Sequence, residues 1–243
     1  MNRRAVLAQT RAELILMSRQ GEVLLLTMAI PVILLVFFSQ VDLLPRAATA
    51  REPVDALAPG ILALAIMSSS MVSLAIGTGF ERQYGVLKRL GASPLGRPAL
   101  LLAKTSVIVT VEVVQIIVLS LVAVALGWHP IGDPLLALGA MLLASVAFAG
   151  IGLFLAGTLS GLMTLAAANG LYLILLLIGG MVFPVDRLPA ALESLAELLP
   201  AAALAEAVTR ALDGSGTAPQ PWIVLAVWAT AAPALATRFF RWD

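Results

Sequence analysis

Six stretches of this chain are apolar for about 20 residues each, and a helix needs that length to cross roughly 30 Å of hydrocarbon at about 1.5 Å per residue. They run approximately Glu22–Gln40, Ala56–Thr78, Ala103–Gly127, Leu135–Leu159, Leu162–Phe183 and Trp222–Phe239. Inside a bilayer each backbone N–H and C=O must be satisfied within the segment, so each stretch is expected to be helical. The predicted fold class is an all-α membrane protein with six transmembrane helices. Composition agrees: 60% of the 243 residues are hydrophobic and 12% charged, against about 45–50% and about 25% in soluble domains. Cysteine is absent, which removes disulfides, thiolate metal sites and cysteine nucleophiles. Lys88 and Lys104 are the only lysines beside many arginines, alanines and leucines, a composition typical of a GC-rich bacterial genome. Arg3 and Arg4 resemble a signal-peptide n-region, but no small-residue cleavage site precedes the polar end of the first stretch, so it is expected to be retained. Pro31 inside it is tolerable, because neighbouring helices can satisfy the freed carbonyl.

Lys and Arg set the orientation. Arg3, Arg4, Arg11, Arg19, Arg82, Lys88, Arg89, Arg97, Lys104, Arg238 and Arg241 fall on one side; Arg46, Arg51, Arg187 and Arg210 fall on the other. Eleven against four predicts that both termini are cytoplasmic, in a multi-pass protein of a bacterial cytoplasmic membrane. Acidic residues lean the other way, among them Asp42, Glu52, Asp55, Asp133 and Asp186. Trp128, Trp222 and Trp242 stand near span ends, where interfacial anchors belong.

Two further segments are expected to be helical without spanning. Over residues 1–21, Arg4, Arg11 and Arg19 fall toward one side at helical periodicity and Val6, Leu14 and Met17 on another, which predicts an interfacial helix; the alternative is a basic tail that only sets topology. In the outer segment 184–216, Leu188, Leu192, Leu195 and Leu199 share a helical face, Pro200 breaks the run, and a second helix covers Ala201–Leu212. Such short helices lie flat on the outer surface or dip in and return where protein or water shields the backbone. Small residues at four-residue spacing (Ser69, Ser73, Gly77; Gly157 with Gly161; Ala166 with Gly170) let helix backbones approach closely; packing within one bundle is the expected reason, ahead of a dimer-specific role.

The chain carries no engine of its own. A P-loop needs Lys on the β/γ-phosphates and Ser or Thr on magnesium. Gly91-Ala92-Ser93-Pro94-Leu95-Gly96-Arg97-Pro98 has the glycine spacing, then offers Arg-Pro, and Pro98 has no hydroxyl. Intramembrane catalysis fares no better. His129 is the lone histidine, no serine is placed to pair with it, and no GxSxG elbow occurs. It reads as an outer-loop residue, and no His or carboxylate cluster has metal-ligand spacing. Glu112 is the one acidic residue well inside a span, with Gln115 on the same face. A buried carboxylate is a functional candidate by default: it can make a structural hydrogen bond, pair with Lys104 or another cation, face water, or carry protons.

The basic loop after the second stretch is the remaining handle. Glu81–Leu90 is expected to form one short helix stopped by Gly91, with Glu81 near its N-terminus and Lys88 and Arg89 near its C-terminus, as the helix dipole favours. Val86, Leu87 and Leu90 give it an apolar patch. It is either a docking element for a soluble partner or a loop that enforces topology.

That loop, Glu81-Arg82-Gln83-Tyr84-Gly85-Val86-Leu87-Lys88-Arg89-Leu90-Gly91-Ala92-Ser93-Pro94, followed by Leu101-Leu102-Ala103-Lys104, resembles the cytoplasmic loop of ABC-2 type permeases related to daunorubicin-resistance permeases. A second part agrees: Gly179-Gly180-Met181-Val182-Phe183-Pro184-Val185-Asp186-Arg187-Leu188-Pro189, then Leu199-Pro200 and Glu206-Ala207-Val208-Thr209-Arg210, is similar to the family's end of span five and outer helices. With six spans and an N-terminal helix, the resemblance covers essentially the whole chain as one domain, 1–243. It implies that Glu81, Arg82, Tyr84, Gly85, Val86, Leu87, Lys88, Arg89 and Leu90 form the coupling helix (81–91) docking into an ATP-binding cassette subunit. It implies that the segment bearing Arg4, Arg11 and Arg19 is the connecting helix, and that the segment marked by Pro184, Pro189 and Pro200 is an outer re-entrant pair capping the exit. Two permeases, as a homodimer or with a sibling, would enclose the substrate path. Two ATPase subunits would hold the ATP and magnesium, and this chain would hold no cofactor. Tyr84-Gly85-Val86 departs from the Thr or Ser that many members place after the glycine, and Ala201-Ala202-Ala203 from the commoner polar-aromatic continuation.

The expected function is thus the permease subunit of an exporter for a hydrophobic or amphipathic molecule, drug-like or lipid, with no nucleic-acid partner. Few aromatics argue against sugar stacking. The competing class, a proton-coupled carrier using Glu112, predicts inverted repeats; three-plus-three symmetry is not visible, since the segment after span five has no counterpart.

Overall fold

The computed structural model describes residues 3–19, 21–40, 53–91, 97–181, 185 and 188–241. Ten helices are described: α1 (Arg3–Arg19), α2 (Gly21–Gln40), α3 (Pro53–Gln83), α4 (Val86–Gly91), α5 (Arg97–Ala125), α6 (Pro134–Thr158), α7 (Gly161–Ile178), α8 (Ala190–Ala196), α9 (Pro200–Asp213) and α10 (Pro219–Phe239). No strand occurs among the described residues; the chain is an all-α membrane protein. Positions 42, 46, 51, 52, 92–96, 182–184, 186, 187 and 242, Pro184 included, lie outside the described residues, as do the side chains of Arg3, Arg4 and Arg97.

Five helices are long and apolar enough to cross a bilayer: α3, α5 over Leu102–Ala125, α6, α7 and α10. The first expected span falls on α2, whose described apolar part is Thr27–Gln40. Helix ends follow local chemistry. Asp133 accepts from the N–H of Leu135 at 2.8 Å, with Pro134 in the first turn of α6; both are N-terminal signals. Ser160 opens α7. That helix ends at Ile178, short of the expected Phe183, because Gly179 and Gly180 follow, Gly180 at φ 70°. α3 is longer than expected. Its 31 residues span about 46 Å at 1.5 Å each, longer than the roughly 30 Å of hydrocarbon that a span has to cross.

α6 is the centre of the bundle, packing on α3, α7, α9 and α10. Phe148 is fully buried there. Close approach is set by glycines whose Cβ would strike backbone: Gly150 against Pro233 N at 2.5 Å, Gly152 against Met71 O at 2.6 Å, and Gly60 of α3 against Met181 O. The four-residue small-residue pattern is a poor guide here. Gly77 and Gly170 meet nothing within 4 Å. Gly157 and Gly161 straddle the α6–α7 turn and so form no single-helix face. Trp128, expected at an interface, is buried in the core.

The outer segment divides. α9 begins at Pro200, is buried along most of its length, and ends at Gly214 with φ 79°. Its last carbonyls accept from the N–H groups of Ile131, Gly132 and Asp133. α8, which begins after Pro189, buries only Ala196 and leaves Leu192 and Leu195 exposed. Of the four leucines read as one face, Leu192 and Leu195 are exposed, whereas Leu188 is half-buried and Leu199 packs against the core.

Candidate functional site

Two polar constellations stand out, one at the basic end of the bundle and one within it. At the basic end, α1, the C-terminus of α3, α4, the start of α5, the α6–α7 turn and the end of α10 converge.

The expected single helix over Glu81–Leu90 is two pieces. Glu81, Arg82 and Gln83 are the last turn of α3; the chain turns at Tyr84 and Gly85, and α4 starts at Val86. Gly85 adopts φ 71°, a left-handed conformation that side-chain-bearing residues avoid. The Tyr84 N–H donates to Phe80 O and the Gly85 N–H to Arg82 O, both at 2.9 Å. These bonds close α3 and let α4 leave in a new direction.

The break sorts the expected docking residues into two groups. Glu81 and Arg82 face into the protein. Lys104, which is buried, lies 2.6 Å from Glu81 Oε2 and 3.5 Å from Glu13 Oε1. One ammonium thereby links α3, α5 and α1. Arg82 donates to Gly157 O at 2.7 Å and to Leu159 O at 2.5 Å, carbonyls that the end of α6 leaves without intrahelical donors. Gln83, unnoticed in the sequence, accepts through Oε1 from the Gly161 N–H at 3.0 Å, a donor left free by the start of α7. The second group faces outward: Tyr84 is 68% exposed, Val86 is 37% exposed, and Lys88 and Arg89 are exposed. Leu87, by contrast, is 1% exposed and anchors α4, while Leu90 is half-buried. Tyr84 stacks on Phe80 with ring centroids 6.2 Å apart. In α1, Arg11 and Arg19 are exposed, together with Leu7, Ile15 and Leu16.

The inner constellation surrounds Glu112 and Gln115, both buried on α5. Gln115 accepts from Ser69 Oγ at 2.6 Å and donates to Thr27 O at 3.1 Å, joining α5 to α3 and α2. Ser145 Oγ lies 2.7 Å from Glu112 Oε2 and 2.8 Å from Met141 O. Its single proton thus faces two acceptors. Glu112 Oε1 makes no hydrogen bond of standard geometry among the described residues. Lys104, one candidate partner for Glu112, is taken by Glu81 instead. The expectation missed the backbone here: Ser68–Ser73 is a π-helical turn inside α3, a wide turn that recurs at functional sites. Ser70 donates to Ile66 O at 2.5 Å; serines bonding back to the preceding turn bend helices, and the run Ser68-Ser69-Ser70 was the available signal. His129 is held in its loop: its N–H donates to Asp55 Oδ1 at 3.2 Å, and Nδ1 lies 2.6 Å from Gly127 O.

This arrangement offers a two-faced terminal segment for docking and a membrane-embedded hydrogen-bond cluster. Residues 4–212 match the family model described as ABC-2 type transporter. The sequence matches no curated protein.

Proposed function

We propose, because this chain belongs to the ABC-2 type transporter family and is therefore the membrane subunit of a transporter, that it is the permease of an ATP-driven exporter. Separate ATP-binding subunits supply the energy, and a second permease completes the path. The observation that carries this reading is the outward face of the segment after α3. Tyr84, Val86, Lys88 and Arg89 project to solvent, while Leu87, Glu81 and Arg82 fasten the same segment to the bundle. A docking lever needs both properties, because a partner must grip it and its displacement must reach the spans. A loop serving topology alone needs neither.

In this reading α4 seats in a cleft of the ATP-binding subunit, and Arg11 and Arg19 of α1 approach the same subunit along the membrane surface. Both termini are cytoplasmic, in a bacterial inner membrane. The exposed apolar faces of α2, α5, α7 and α10 meet lipid or a second permease, homologous or identical, and an apolar or amphipathic substrate such as a drug or lipid passes between the two permeases. α8 and α9 form the outer cap over that path.

The test is reconstitution in proteoliposomes with and without the ATP-binding subunit encoded beside this chain, using amphipathic dyes as substrates. Dye movement that requires the ATPase, ATP and magnesium is expected. Dye movement driven by a proton gradient with the lone chain, and abolished by Glu112→Gln, would replace the exporter with a proton-coupled carrier.

A further inference from the structure

Three consecutive residues at the end of α3 each grip a different element. Glu81 reaches the Lys104 ammonium of α5. Arg82 holds the Gly157 and Leu159 carbonyls at the end of α6. Gln83 receives the first N–H of α7, from Gly161. The Gly157 carbonyl also accepts from the Arg241 N–H at 3.0 Å, and a Cβ on Gly157 would stand 2.5 Å from the Phe240 ring, so the end of α10 joins the same knot. Two residues later the chain turns at Gly85 into α4.

We propose that Arg82 and Gln83 are positioning residues of transport, a clamp that makes the α6–α7 turn move with the docking segment. The proposal rests on the exporter reading and adds to it: one docking contact then drives α3 and the α6–α7 hairpin together. The geometry argues for more than capping. A helix end is ordinarily satisfied by residues next to it in sequence, and Ser160 already caps α7 locally. Here an arginine 75 and 77 positions away from its two acceptors does the work, and it sits at the base of the segment a partner would displace. Its planar guanidinium bonds two carbonyls at once, which fixes direction as well as distance. A π-helical turn at Ser68–Ser73 lies on the same helix, between the clamp and the outer half. The last 10 residues of α3, Leu74–Gln83, therefore have a wide turn above them and a fixed partner below them.

The protein contains no cysteine, so a single introduced thiol reports one place. Leu162→Cys, at a 70% exposed site in the first turn of α7, is labelled with a maleimide in the complex with its ATPase. Labelling rates are compared without nucleotide and with ATP plus vanadate, alongside Lys88→Cys on α4. With Arg82 present, both thiols are expected to change rate on nucleotide trapping. With Arg82→Ala, the Lys88→Cys response persists, the Leu162→Cys response is lost, and ATP-dependent dye transport falls at least tenfold while the ATPase still co-purifies. Arg82→Lys, which retains one donor group, restores part of both. If Arg82→Ala protein does not accumulate in the membrane, Gln83→Ala carries the same comparison from an exposed position. A Leu162→Cys response and transport unchanged by either substitution overturn the clamp. An unmodified protein that binds no ATPase brings down the exporter reading, and the clamp with it, a result visible before any Arg82 variant is made.

Discussion

Val86→Asp separates docking from folding. Val86 is the first residue of α4 and 37% exposed. In the free chain the substitution changes little, because exposed sites tolerate replacement within about 0.5 kcal/mol and a carboxylate in the first turn of a helix gains roughly 0.3–1 kcal/mol from the dipole. In a docked complex the same carboxylate is driven into a protein cleft. Leaving a charge buried without a partner costs about 3–5 kcal/mol, and at about 1.4 kcal/mol per tenfold the ATPase should bind about a hundredfold to several thousandfold more weakly. Val86→Ala removes only part of an apolar contact and should weaken binding by less than about tenfold, since deleting two methyl groups at a half-exposed site loses under 1.4 kcal/mol. Binding of purified permease in nanodiscs to its ATPase measures both, and thermal denaturation of the permease alone supplies the folding control. Leu87→Ala gives the opposite signature. At 1% exposure it should destabilise the permease itself by about 2–5 kcal/mol. Equal affinity for the Val86→Asp and unmodified proteins, with substrate-stimulated ATPase intact, would refute the assignment of this face to the partner.

Lys104→Met leaves Glu81 and Glu13 facing each other across the site of the lost ammonium. Breaking a buried pair costs about 3–5 kcal/mol; Glu81 keeps partial solvent access, so the low end is expected, read as a lower denaturation midpoint in detergent. Gly150→Leu forces apart α6 and α10, where even a Cβ meets Pro233 N at 2.5 Å, and should cost at least about 3 kcal/mol, the upper part of the overpacking range; Gly77→Ala, with open space around it, should be neutral or stabilising by up to about 1 kcal/mol. In Glu112→Gln the new amide N–H donates to Ser145 Oγ, which is then free to donate to Met141 O, so ATP-driven transport should stay within roughly threefold of the original, the equivalent of a typical 0.6 kcal/mol intramembrane hydrogen bond.

Those elements that depend on a long, repeated signal were legible in the sequence. Apolar runs of span length located five helices long enough to cross a bilayer, and the start of α6 at Pro134 lies one residue from the expected Leu135. Single-residue geometry was not legible. The periodicity of Glu81–Leu90 is helical throughout, and only the left-handed Gly85 divides it. The π-helical turn at Ser68–Ser73 has no hydrophobic period of its own over six residues; its serines hint at bending without giving the register. Gly157 and Gly161 satisfy a four-residue pattern while lying on different helices, because Leu159 and Ser160 intervene in extended conformation. Long-range pairing is harder still: nothing local to Arg82 announces carbonyls 75 and 77 residues away.

Eleven cations on one side look like a topology signal, and counting treats them as interchangeable. The structure divides them. Lys88 and Arg89 are solvated, whereas Lys104 and Arg82 are committed to carboxylates and carbonyls of other helices. What makes that commitment affordable is the length of α3. Its 31 residues exceed the roughly 20 that a 30 Å core requires, and its apolar run ends before Glu81, Arg82 and Gln83. Glu81 keeps part of its solvent access while Lys104 is buried against it, and a helix longer than a span can hold such a pair away from the bilayer centre, where charge is most costly. A span cut to about 20 residues would have to make these ties inside the membrane or give them up. The extra helical turns of α3 are thus the physical condition for a charged knot that joins a surface segment to several spans at once.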